Sequence, residues 1–272
     1  IPINPYYKFH DVDYTQAIKE HDEVLKILES IGIKIIQVPS PAVCQDGVYT
    51  ANWALVHGDK AVMSKLPSAR QGEQAYAEKI LTELGKTVIH LPNNLKFSGQ
   101  GDALICGSLL FSGSGYRSDA DAQEFAAREL GLERVQLMTV PLLDISGQPQ
   151  INSSTGWYDS YFYDLDLALA IIKAPTDNSK GLIAYCPEAF TPASQQILAN
   201  LSSVDKITVD INEARNGFAT NLVSNGTTVV MSDNAPILKN DLEKLGLKVI
   251  TPKIREIAKG GGFIRCMTLT IE

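Results

Sequence analysis

The sequence predicts an α/β chain of about five ββαβ repeats. Two observations carry that prediction. An amphipathic helix, a short break and a β-rich strand recur along the 272 residues, and turn residues place pairs of short strands between these units. The breaks fall at Gly32, Gly85, Gly131 and Gly246, with Ser202 and Ser203 taking the place of glycine once. They stand roughly 45–70 residues apart, and such a period suggests repeats whose radial closure, as in a propeller, buries every apolar face. A single open α/β sheet is the alternative that pattern alone allows.

The first helix is expected within Tyr14–Val38, where Ala17, Val24, Leu25 and Leu28 fall near helical spacing. Gly32 ends it, and Ile33–Val38 reads as a strand. Trp53–His57 and Lys60–Ser64 flank Gly58-Asp59, followed by helix Glu73–Leu84, Gly85 and strand Thr87–Leu91. Ala103–Cys106 and Ser108–Ser112 meet at Gly107, before helix Ala122–Leu130, Gly131 and strand Arg134–Val140. Ala168–Lys173 and Gly181–Tyr185 precede the unit Thr191–Ile211, whose strand is Lys206–Ile211. Leu222–Ser224 and Thr227–Met231 flank Asn225-Gly226, a hairpin signal, before helix Ile237–Leu245, Gly246 and strand Leu247–Thr251. Pro141–Trp157 is the longest irregular stretch and is polar enough for a surface loop or lid. No linker interrupts the units, so residues 1–272 read as one domain where length alone suggests nearly two.

Hydrophobic residues make up 44% and charged residues 20%, which excludes a disordered chain. The net charge is −7 and no Lys/Arg cluster occurs, which argues against nucleic acid as partner. No apolar run reaches the roughly 18 residues of a membrane helix. Ile1–Tyr7 does not read as a signal peptide. Cys44, Cys106, Cys186 and Cys266 are widely spaced, so free thiols in a cytoplasmic setting are expected over a disulfide framework. His10, His21, His57 and His90 show no metal-ligand spacing, and no metal or organic cofactor is expected.

The chemistry-bearing segments resemble a known family. Gly260-Gly261-Gly262-Phe263-Ile264-Arg265-Cys266-Met267-Thr268-Leu269 is similar to the C-terminal nucleophile motif of the guanidine-modifying, pentein-fold superfamily. That superfamily includes arginine deiminases, dimethylarginine dimethylaminohydrolases, amidinotransferases and arginine dihydrolases. Ile3-Asn4-Pro5, Gln45-Asp46-Gly47-Val48-Tyr49-Thr50-Ala51-Asn52, Arg70-Gln71-Gly72-Glu73, Gly101-Asp102-Ala103-Leu104, Gly115-Tyr116-Arg117-Ser118-Asp119 and Tyr161-Phe162-Tyr163-Asp164-Leu165-Asp166 match in family order across nearly the whole chain. The resemblance implies a five-bladed α/β propeller with a central site. It implies that Cys266 attacks a guanidinium carbon to give a covalent amidino intermediate. Asp46 and Asp166 match positions that grip guanidinium nitrogens, a task suited to carboxylates. Asn52 matches a pocket amide, Arg117 a position that holds a substrate carboxylate, Asp102 a supporting acid, and Asn4 a more weakly marked pocket position. The implied partner is a small cationic guanidino or amino compound, and exposed blade edges are compatible with a homodimer.

Without the resemblance, Cys266 reads as a buried structural thiol, Asp46 and Asp102 as turn residues, Asn52 as a strand-end amide, Arg117 as a surface ion pair and Asn4 as part of a strand. Two positions depart from the family pattern. Asp164 stands where the catalytic His is expected, and Ser98, in Phe97-Ser98-Gly99-Gln100-Gly101-Asp102, stands where that His finds its acidic partner. An ordinary Asp is protonated about once per thousand molecules at pH 7, so it is a poor substitute for imidazole. Asp164 and Asp166 would share a face on a strand, and two close carboxyls there could share a proton. His10, in a loop after Asn4-Pro5, is the one His placed to replace the missing donor, against the weight of the pattern. Two functions remain: a cysteine-dependent hydrolase or amidinotransferase, and a pseudoenzyme that binds a guanidino or amino ligand, or a protein partner, without turnover.

Overall fold

The computed structural model describes residues 1–7, 12–92 and 94–272. Helix α1 (Tyr14–Ser30) starts where the Asp13 carboxylate accepts the Gln16 amide, and its buried Glu20, Val24 and Leu28 form one stripe. A unit of β1 (Ala54–His57), β2 (Lys60–Met63), α2 (Gly72–Glu83) and β3 (Thr87–Ile89) follows. The next is β4 (Ala103–Cys106), β5 (Leu109–Ser114), α3 (Ala120–Leu130) and β6 (Glu133–Met138). The third is β7 (Leu169–Lys173), β8 (Gly181–Tyr185), α4 (Pro192–Asn200) and β9 (Val204–Thr208). After α5 (Ile211–Gly217) come β10 (Val223–Ser224), β11 (Thr228–Val230), α6 (Pro236–Lys244) and β12 (Lys248–Ile250).

Each unit forms a three-stranded sheet in sequence order. The first two strands pair antiparallel across a short connection, and the third pairs parallel after the helix crosses over. The crossover helices bury residues four apart, such as Ala77 and Leu81, Ala122 and Ala126, Ser194 and Leu198, Leu238 and Leu242.

Two expectations need correction, the strands at Ile33–Val38 and at Lys206–Ile211. Four sheets form among the described residues, and none closes on itself. The fifth unit has its helix, α1, but Ile33–Val38 joins no ladder, and a groove of about 2100 Å³ borders it. An apolar strand pattern supplies the side chains of a strand but not the neighbour that satisfies its backbone. The strand expected at Lys206–Ile211 lies earlier, as β9, because the Asp210 carboxylate accepts the amides of Asn212 and Glu213 and starts α5. Glu213 then accepts the amides of Ile237 and Leu238 at the start of α6. The 141–157 stretch, expected as a surface loop or lid, is irregular and partly exposed, with isolated bridges from Leu143 to Pro149 and Ile151 to Tyr158 and an Asn152 amide that donates to the Pro2 carbonyl.

The turns that lead into the sheets are tied to one another. Asn52, just before β1, donates to Ser98, just before β4, and to Asp164, just before β7. Asp102 accepts the Leu165 amide. Asn221, before β10, meets Cys266, whose carbonyl accepts the Ala51 amide and returns to the first turn. No helix among the described residues is long and apolar enough to cross a membrane.

Candidate active site

Cys266 is 2% exposed and sits in the largest apolar cluster. The glycines before it are what let the chain reach that place. Gly261 has φ +89°, and a Cβ there would collide with the Asn4 side chain, lying 2.8 Å from its Cγ and closer still to its Oδ1. The carbonyls on this run are held by Asn4, which donates to Gly260 O at 3.0 Å, and by the Tyr163 hydroxyl, which donates to Gly261 O at 2.7 Å. Gly261→Ala is therefore expected to cost at least about 1–2 kcal/mol from the left-handed backbone alone, with a lower urea midpoint as the measurement. Glu20 of α1 also accepts the amides of Glu256 and Ile257, which fixes the approach to the run.

The Cys266 sulfur has two polar neighbours. Asn221 Nδ2 donates to Sγ at 3.1 Å, and Asn221 Oδ1 accepts the Cys266 amide at 3.1 Å. Sγ lies 3.5 Å from Asp166 Oδ2. Burial, then the charges of Asp166 and Asp164, hold the thiol well above its ordinary range, which favours the protonated form. Burial, then the Asp164 charge, pushes the Asp166 carboxyl up to about 8. Arg265, Cys266 and Asn221 oppose that rise. Asp166 Oδ1 is buried with no hydrogen-bond partner among the described residues.

The raised Asp166 has a consequence for stability. Its folded pKa lies above the unfolded value, so its contribution is full below about pH 4 and is lost as pH rises through about 8. Relative to Asp166→Asn, the wild type is expected to lose stability across that window, by at most about 1.4 kcal/mol per pH unit. Paired thermal melts from pH 4 to 9 check this, and a pH-independent difference would contradict it.

Asp164 is not beside the sulfur as a partner of Asp166. It caps a 3₁₀ turn, Leu165–Leu167, instead of lying on a strand. Asp164 has extended backbone just before the turn, whereas Asp166 lies within it. Asp164 Oδ1 accepts from Ser98 Oγ at 2.8 Å, and Oδ2 accepts from Asn52 at 2.8 Å and from Arg117 at 3.3 Å. Gly101 makes room for this arrangement, since a Cβ there would lie 2.7 Å from Asp164 Oδ2. Asp164 and Asp166 thus share no hydrogen-bond partner among the described residues, while the Asp164 charge still reaches Asp166.

The remaining sequence candidates surround a cavity of about 10 Å³, room for little more than one water, that Cys266 also lines. Asn4, Asp46, Asn52 and Arg117 line it. Asp46 takes a hydrogen bond from Gln45 Nε2 at 3.0 Å, and its residue borders the large groove as well. Asp102 lies behind the site: it accepts from Ser118 Oγ at 2.7 Å and from the Leu165 amide at 3.0 Å, positioning the Asp164–Asp166 turn. Burial, then the nearby Asp164 charge, raises its carboxyl well above the usual range. His10 lies outside the described residues. His21 pairs with Asp22 and His90 with Glu78 on the surface. No cluster of metal-ligating side chains occurs among the described residues.

Sequence reasoning missed Asn221, a lone amide with no motif around it. It also gave Arg70 and Glu73 no task, although both stand in a quoted motif. Arg70 binds Glu73 at 2.7 Å, Asn52 Oδ1 at 2.7 Å and the Tyr49 carbonyl at 2.9 Å, all buried. It thereby sets the Asn52 amide to donate toward Ser98 and Asp164.

Comparison with known proteins gives a consistent group. Residues 4–141 match the family model described as N,N dimethylarginine dimethylhydrolase, eukaryotic. The chain is 32% identical to the N(G),N(G)-dimethylarginine dimethylaminohydrolase of Mycobacterium tuberculosis, over 96% of this chain and 77% of that one. It is 30% identical to the bifunctional arginine dihydrolase/ornithine cyclodeaminase AgrE of Nostoc sp., over 99% of this chain and 35% of that protein. The chain thus spans about a third of that curated relative. The solved N-terminal domain of the cyanobacterial arginine dihydrolase ArgZ, a cysteine-to-serine mutant with substrate bound, superposes with TM-score 0.82 at 28% identity, covering 98% of this chain and 91% of that domain.

Proposed function

We propose that this chain, which belongs to the N,N-dimethylarginine dimethylhydrolase family of the guanidine-modifying, pentein-fold superfamily, is a cysteine-dependent hydrolase or amidinotransferase acting on a guanidino group. The observation that carries this reading is the buried Cys266 thiol placed 3.5 Å from a carboxyl and clamped by Asn221. A guanidinium held by Asp46 and Asp166 supplies the positive charge that the empty site lacks, and favours the thiolate. The sulfur attacks the guanidinium carbon, the C–S bond forms, and the C–N bond to the leaving amine breaks. The thiol proton passes through Asp166 to that amine, so the covalent amidino intermediate keeps the single positive charge. Water, or an acceptor amine, then releases the group and restores the thiol. Asp166 takes this proton-carrying role because it, and not Asp164, touches the sulfur.

The hydrogen-bonded circuit through the turns before β1, β4, β7 and β10 and back through Cys266 supports a five-bladed α/β propeller in one domain, with the site at its axis. The four free cysteines support a cytoplasmic setting.

One observation favours a second reading, ligand binding without turnover: the residue in place of the family His has both oxygens engaged by Ser98, Asn52 and Arg117. One experiment separates the two. Incubation with arginine, methylated arginines, agmatine and guanidinoacetate is followed by assays for ureido product, urea, ammonia and amine, and by acid quench and mass analysis of the Cys266 peptide. Product or an amidino adduct supports the enzyme. Saturable binding with neither supports the binder.

A further inference from the structure

The guanidinium groups beside the Cys266 cavity are already matched by the protein's own carboxylates. Arg70 and Arg117 both line that cavity. Arg70 is neutralised by Glu73, with Nε and Nη2 donating to its two oxygens at 2.8 and 2.7 Å. Arg117 is neutralised by Asp164, with side chains 7% and 1% exposed. Its second nitrogen donates to the Ile3 carbonyl at 3.2 Å, and its carbon sits 3.9 Å from the Tyr163 ring centroid. A third guanidinium, the half-buried Arg265, is spent on Gln100 and the Thr268 carbonyl. The ion pairs among the described residues assign no cation to Asp46.

We infer that the site selects guanidines that carry no carboxylate, a guanidino-alkylamine or simple alkylguanidine in place of a guanidino acid. The reading rests on the guanidino chemistry proposed above and narrows its substrate class. A carboxylate entering beside Arg117 meets Asp164 in a buried site, where two like charges repel strongly and one cation cannot serve both. A cationic or neutral tail meets no such opposition. The residue at position 164 therefore acts twice: it removes an imidazole from the site, and it removes the anion seat by occupying it from within.

The test measures binding without turnover. Cys266→Ser protein is titrated calorimetrically with arginine, arginine methyl ester and agmatine. The expected result is that the ester and agmatine bind at least tenfold more tightly than arginine. Arginine binding as tightly as either one overturns the inference and leaves the guanidino reading standing. Absence of binding by all three overturns both. A second arm adds Asp164→Asn, which frees Arg117: arginine is then expected to close most of the gap, and an unchanged preference also counts against the inference. The ester comparison needs no change at position 164, so the result does not hang on that variant folding.

Discussion

Cys266→Ala is expected to lower turnover of any guanidino substrate on the order of a thousandfold or more, as for other deleted nucleophiles, while leaving the fold intact. The side chain is 2% exposed, and trimming one buried heavy atom costs about 1 kcal/mol at most sites. The backbone contacts that shape the site survive the change, because Asn221 Oδ1 still accepts the residue 266 amide and the Ala51 amide still finds the residue 266 carbonyl. The variant is therefore a test of chemistry and not of folding. Product formation and the amidino adduct should vanish together, with a far-UV spectrum and urea midpoint close to wild type. If turnover persists in the folded variant, the sulfur is not the nucleophile and the covalent route fails.

The repeat and the glycine-rich approach to Cys266 are legible in the sequence for a local reason. Gly32, Gly85, Gly131 and Gly246 all adopt positive φ after their helices, a signal written in single residues. The glycine run before Cys266 is likewise local, because a backbone that must approach Asn4 and Tyr49 closely admits no Cβ. The missing parts depend on partners distant in the chain. Ile33–Val38 has strand-like residues, but a ladder needs a neighbour that its own pattern does not specify. Asn221 is an ordinary amide until the chain brings it to residue 266. Two residues share a face on a strand, whereas Asp164 stands just before a 3₁₀ turn that carries Asp166, and no spacing in the sequence marks that turn.

Arg70→Met is expected to be the most destabilising single change near the site, by about 3–5 kcal/mol. Arg70 is 2% exposed and Glu73 is not exposed at all, so removing the guanidinium strands a charge in the interior. The same change releases Asn52 Oδ1 and the Tyr49 carbonyl, which lose their donors. Removing the stranded charge as well should restore much of the loss: the double variant Arg70→Met, Glu73→Met replaces the ion pair with apolar volume, a swap that often comes out near neutral. Recovery should stop short of wild type, because the Trp53 Nε1–H also loses its acceptor on Glu73. Urea denaturation of wild type, single and double variants measures both steps. If the single variant loses less than about 1 kcal/mol, the pair is solvated in solution and does not anchor Asn52. If the double variant is no more stable than the single, the loss comes from the Asn52 and Tyr49 contacts instead of the stranded charge.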